Sequence, residues 1–106
     1  MYKIGVIGDK DSILGFKAVG FDAFEAADKD AAENALHAAA ATGEYAVIFI
    51  TERAAAAISE AIDRYKDEVL PAIVPIPGNA GPTGLGMANV MKSVERAIGA
   101  GIFFDN

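Results

Sequence analysis

The chain contains no cysteine, so disulfides and thiolate metal sites are excluded, although this does not fix the redox compartment. Histidine occurs once, at His37, and without thiolates around it a transition-metal site is not expected. No segment reaches the roughly 18 apolar residues that a membrane helix requires. The overall hydrophobic fraction is nevertheless 53%, and the longest apolar runs, such as YAVIFI at residues 45–50, are strand-sized. Basic residues are few and scattered: nine Lys and Arg against 15 Asp and Glu leave a formal net charge of −6. Such a surface repels phosphate backbones, so neither nucleic acid nor an anionic membrane is expected as a direct partner. The start, MYKIGVIG, shows no secretory apolar region or cleavage site, and the expectation is a cytoplasmic protein with no direct membrane insertion.

A length of 106 residues allows one compact domain with a modest core. KIGVIG (residues 3–8) reads as a strand buried on both faces. Asp11 or Ser12 then caps a short helix over residues 12–19, which Gly20 stops in a left-handed conformation. FDAFEA (21–26) alternates apolar and polar residues and reads as a half-exposed strand. Asp30 and Glu33 have the spacing of a capping box for a helix over 31–41, closed by Gly43. YAVIFI is the clearest strand. Thr51 caps a helix over 52–66, where Ala54, Ala57, Ile58, Ala61, Ile62 and Tyr65 form one apolar stripe. Glu60 and Arg64 on it are spaced for an i,i+4 pair on a solvated face. LPAIVPIP (70–77) is a fourth strand, and a last helix covers 87–98.

Strands alternating with helices imply right-handed βαβ units and a parallel sheet. Pro71, Pro75 and Pro77 cannot donate ladder hydrogen bonds, which puts strand four on an edge. The polar alternation of strand two puts it on the other. The fold class is therefore α/β: a single small doubly wound sheet in the order 2-1-3-4, receiver-like or Rossmann-like. Residues 1–77 form the sheet unit of this one domain, and 78–106 supply a glycine-rich loop, a helix and a tail.

Sites in such folds lie at the carboxyl ends of the strands. A phosphoacceptor receiver needs an acidic pair after strand one, an Asp after strand three and a later Lys. Asp9 and Asp11 supply the pair, but Thr51 and Glu52 follow strand three, and Lys92 is already within the last helix. Capping and solvated turns account for these acids. The loop PIPGNAGPTGLGM (75–87) is no better as a nucleotide cradle. Its Gly81-x-x-Gly84-x-Gly86 order reverses the dinucleotide fingerprint, and the Gly8–Gly15–Lys17 spacing does not make a P-loop. No cofactor is expected. His37, in mid-helix, reads as a surface histidine.

The C-terminal third holds a second stripe, Met87, Val90, Met91, Val94, Ala97 and Ile98, followed by Ile102, Phe103 and Phe104. Periodicity alone allows two readings, a helix packed on the sheet or an arm that docks on a partner. Met at contact positions suits an adaptable surface, and Gly78, Gly81, Gly84 and Gly86 supply a hinge.

KIGVIGDKDSILGFKAVGFDAF, VIFITE, and LPAIVPIPG followed by GLGM together resemble the F subunit of the prokaryotic V/A-type rotary ATPases. The segments occur in the family's order and span almost the whole chain. The run RAAAAISEA (53–61) carries fewer charges than the family pattern. The resemblance implies a central-stalk rotor component, with no active site of its own, that binds the coiled-coil D subunit inside the catalytic A/B hexamer. It implies a receiver-like fold without receiver chemistry and a C-terminal helix projecting towards neighbouring subunits. The partner-binding candidates are then Met87, Val90, Met91, Val94, Ile98, Ile102, Phe103 and Phe104. The alternative function is a degenerate receiver-like module that binds a small ligand or a signalling partner.

Overall fold

The computed structural model describes residues 2–18 and 20–78. Four parallel strands, β1 (Lys3–Gly8), β2 (Asp22–Glu25), β3 (Tyr45–Thr51) and β4 (Ala72–Ile76), form one sheet in the order β2-β1-β3-β4. This is the expected order. Every residue of β3 is buried, as a central strand between two helical layers requires. The prolines do mark the edge, and Pro71 and Pro77 lie just outside β4, so the strand is shorter than the apolar run around it.

Period-two alternation divides the core between the two faces. Val6, Val47, Phe49 and Ile76 point to one side, where Ile13 and Phe16 of α1 (Lys10–Ala18) cover them. Ile7, Ile48 and Ile50 point to the other, under Ala32, Leu36 and Ala39 of α2 (Lys29–Thr42) and under Ile58 and Ala61. Alanines let α2 approach the sheet closely but bury little apolar area, so Leu36, fully buried, is the main anchor of that helix.

Three helix boundaries differ from the sequence reading. Helix α1 begins two residues early, because Asp9 rather than Asp11 or Ser12 closes its first turn: Ser12 N–H and Ser12 Oγ–H both donate to the Asp9 carboxylate, at 3.3 and 2.7 Å. Helix α2 is capped by Asp28, not Asp30, with Ala31 N–H donating to Asp28 Oδ1 at 2.8 Å. The expected helix over 52–66 is two, α3 (Glu52–Ala57) and α4 (Ser59–Asp63). Ile58 leaves helical geometry at φ −123° while its side chain stays buried, and its N–H is shared between Ala54 O and Ala55 O. No residue of α3 is itself buried, so Ile58 is the point where this segment is pinned. The ion pair expected between Glu60 and Arg64 is not formed among the described residues. Gly20 and Gly43, at φ 94° and 69°, do take the left-handed conformation that ends α1 and α2.

Candidate functional site

The carboxyl ends of β1 and β3 bring Gly8, Asp9, Thr51 and Arg53 to one end of the sheet, and the turn from β2 adds Asp28 and Lys29. Thr51 occupies the position where a receiver carries its phosphoacceptor, and it is 2% exposed. Its Oγ1 accepts from Ala54 N–H at 3.4 Å, so it caps α3 as the sequence implied. Its methyl faces Gly8 so closely that a Cβ built there would lie 2.5 Å from Thr51 Cγ2. The end of β3 is therefore a packed contact between strands.

The acidic residues are also in structural use. The hydrogen bond from Ser12 Oγ holds the Asp9 carboxyl below its ordinary value, and the nearby Arg53 charge adds a smaller push in the same direction. Asp11 lies exposed in the first turn of α1, a position favourable to an acid near a helix N-terminus. What remains at the strand ends is a cleft of about 140 Å³ lined by alanines, Thr51, the acids Asp9 and Asp28, and the cations Lys29 and Arg53. Among the described residues no cluster of His, Asp and Glu has the geometry of a metal site.

Residues 4–94 match the family model described as the ATP synthase (F/14-kDa) subunit. The chain belongs to that family. It is 48% identical over 103 residues to the F subunit of the V-type ATP synthase of Clostridium perfringens, covering 96% of this chain and 97% of the relative. The F subunit of the A-type ATP synthase of Thermococcus kodakarensis is 34% identical over 102 residues, covering 92% and 94%. The crystal structure of the V-type ATP synthase F subunit from Archaeoglobus fulgidus has the same fold at 18% identity, with a TM-score of 0.64 over 71% of this chain and 96% of that one. The likeness carried by KIGVIGDKDSILGFKAVGFDAF, VIFITE and LPAIVPIPG is thus a family relationship.

Of the residues singled out for partner binding and hinge motion, only Gly78 falls within the described part of this family member. It is exposed, has no left-handed φ, and a Cβ there would meet Ser12 Oγ at an ordinary 3.6 Å. Neither space nor conformation demands glycine at that position. Gly81, Gly84, Gly86, Met87, Val90, Met91, Val94, Ile98, Ile102, Phe103 and Phe104 lie outside the described residues. No described helix is long and apolar enough to cross a membrane.

His37 is not the surface residue that its mid-helix position implied. It is half-buried, Nδ1 lies 2.6 Å from the Tyr65 hydroxyl, and Nε2 is buried without a hydrogen-bond partner, 3.8 Å from Glu33. The pair ties α2 to the turn after α4, a link of 28 positions. The i,i+4 spacing of Glu33 and His37 marks only their own proximity and not the contact with Tyr65. A second such tie, Tyr45 O–H donating to Asp22 at 2.8 Å, joins β3 to β2. Burial and the Asp22 hydrogen bond push the Tyr45 hydroxyl up to about 12.

Proposed function

We propose that this chain is a non-catalytic central-stalk component of a V/A-type rotary ATPase. In this reading it binds the rotor D subunit, turns within the catalytic A/B hexamer, and helps couple ATP turnover to ion transport. It is held at the cytoplasmic face of the membrane through the complex. The observation that carries the reading is the likeness to F subunits of V-type ATP synthases, 46–48% identical over nearly the full length. The strand-end geometry supports it, since Asp9 and Thr51 serve as helix caps where a receiver would place its phosphoryl chemistry. Residues 1–77 serve as the sheet unit and 78–106 as a partner-binding arm. Gly78, Gly81, Gly84 and Gly86 give the arm its freedom, and the stripe from Met87 to Ile98 with Ile102, Phe103 and Phe104 makes the contact.

The test is co-expression of the full chain with the D subunit, followed by affinity purification and the ATPase rate of the assembled complex. Stoichiometric co-purification and a turnover that depends on this chain are expected. In a Met91→Asp/Val94→Asp variant, an unchanged far-UV circular dichroism spectrum with loss of the D subunit is expected. Failure of the parent chain to co-purify would overturn the stalk assignment. A variant that unfolds would assign the stripe to the core and withdraw the arm.

A further inference from the structure

The charges in the strand-end cleft are not equivalent. Both carboxylates are engaged at the starts of their own helices, Asp28 by Ala31 N–H and Asp9 by Ser12 N–H and Oγ–H. The two cations form no ion pair among the described residues, although the Arg53 charge acts on the Asp9 carboxyl. No carboxylate lies within 4.0 Å of Lys29 or Arg53 among the described residues. Lys3, by contrast, is paired with Glu44 at 3.2 Å. Ala26, Ala32 and Ala54 are among the residues that line the cleft with the two cations. Thr51, which packs against Gly8, also lines the cleft.

The charges lining the cleft balance, Asp9 and Asp28 against Lys29 and Arg53, so the hydrogen-bonding capacity left on each bears on what the cleft accepts. A metal ion would need the carboxylates, part of whose acceptor capacity is taken by backbone and hydroxyl donors, and no metal-holding cluster forms among the described residues. An anion would meet two cations that no carboxylate pairs among the described residues. A guanidinium offers two parallel N–H donors to a tetrahedral oxyanion, and an ammonium adds a point charge. The volume of about 140 Å³ is less than half of the roughly 300 Å³ at which drug-sized pockets begin. It suits a phosphate group and not a whole nucleotide.

We propose that this cleft binds a small oxyanion of the phosphate class, held by Arg53 and Lys29 beside the alanines that share its lining. The site is separate from the stalk reading and does not depend on it. A net charge of −6 disfavours anions over the surface as a whole, so saturable anion binding reports a local site rather than general attraction.

The experiment is a titration of the full-length, ¹⁵N-labelled chain with inorganic phosphate, followed by amide shifts, against sodium chloride of matched ionic strength. A parallel titration with adenosine monophosphate distinguishes free phosphate from a phosphate ester. Saturating shifts confined to residues 26–29 and 51–54 are expected, with the ester binding no tighter than phosphate. Lys29→Gln/Arg53→Gln should raise the midpoint at least tenfold. Both side chains are exposed, so the rest of the spectrum should not change. Arg53→Lys, which keeps the charge and loses the fork, should fall between the parent and the double variant. Linear shifts, shifts centred on Lys10, Lys17 or Lys66, or an unchanged midpoint in the variants would overturn the proposal. Tighter binding of the ester would overturn its size limit.

Discussion

Substituting Gly8 by alanine tests the contact on which the strand-end geometry rests. The added Cβ would lie 2.5 Å from Thr51 Cγ2 and 3.2 Å from Ile13 Cγ2. Neither neighbour yields easily. Thr51 and Ile13 are both β-branched and buried, and β1 and β3 are the two central strands of the sheet. Gly8 has no left-handed φ, so the cost is steric and not conformational. Overpacking of this kind costs about 1–3 kcal/mol. Reduced freedom of the unfolded chain offsets some ~0.4–1 kcal/mol of that. If Thr51 turns away, the α3 cap is lost instead, at about 1 kcal/mol. Gly8→Ala should therefore destabilise by about 1–3 kcal/mol, with a melting temperature lower by roughly 4–8 °C for each kcal/mol. Thr51→Ser removes the methyl and keeps the capping oxygen, which costs about 0.8 kcal/mol by itself. In the double variant the new Cβ meets only the capping oxygen at position 51, at an ordinary 3.4 Å, and Ile13. Urea melts of the four proteins should show the pair more stable than the sum of the singles by at least about 1 kcal/mol. Additivity to within about 0.5 kcal/mol would refute the claim that Gly8 and Thr51 form one steric unit.

Leu36→Ala, at the only large buried side chain of α2, should cost about 2–5 kcal/mol in a urea melt, and a loss under 1 kcal/mol would show that the alanines carry that face. Asp28→Ala should cost about 0.5–2 kcal/mol and Asp30→Ala less, because only Asp28 accepts from the α2 backbone; thermal melts that reverse this order would restore the capping box. The raised Tyr45 hydroxyl predicts an alkaline limb. Its stabilisation is fully present below about pH 10, where the unfolded tyrosine ionises, and is lost as pH rises through about 12. Unfolding measured from pH 9 to 12 should therefore flatten in Tyr45→Phe, and an unchanged slope would remove Tyr45 as the cause.

The sheet was legible in the sequence because its signals do not compete. Tyr45–Thr51 has no plausible reading but a buried strand, and Pro71, Pro75 and Pro77 leave β4 only an edge. The caps were less legible because each helix start offers two acids two residues apart, Asp9 and Asp11, then Asp28 and Asp30. Either spacing satisfies the local chemistry, and only the packing of the first turn selects between them. The break at Ile58 was hidden for a related reason. The stripe runs through it at unbroken period, with no glycine or proline to mark the bend. His37 and Tyr65 stand 28 positions apart, and no short-range pattern records a contact set by how α2 meets the turn after α4. Lys29 and Arg53 were equally silent, since the lack of an ion pair among the described residues is a property of three-dimensional neighbours.

Position 51 shows what a receiver's phosphoacceptor carboxylate would meet in this frame. A phosphoacceptor carboxylate must be reachable by its phosphoryl donor and stabilised as an anion. At 2% exposure, a carboxylate in place of Thr51 would bear a desolvation penalty with both nearby acids, Asp9 and Asp28, already turned to their own helices. Threonine avoids that penalty and uses both of its branches. The methyl fills the space that the absent Gly8 side chain leaves, and the hydroxyl closes the first turn of α3. Each branch binds one central strand or helix start to another, so the strand end is held by packing in one arrangement. A rotor part transmits force through its shape. A buried, packed strand end suits that role, and this is the physical sense in which position 51 and the proposed stalk function agree.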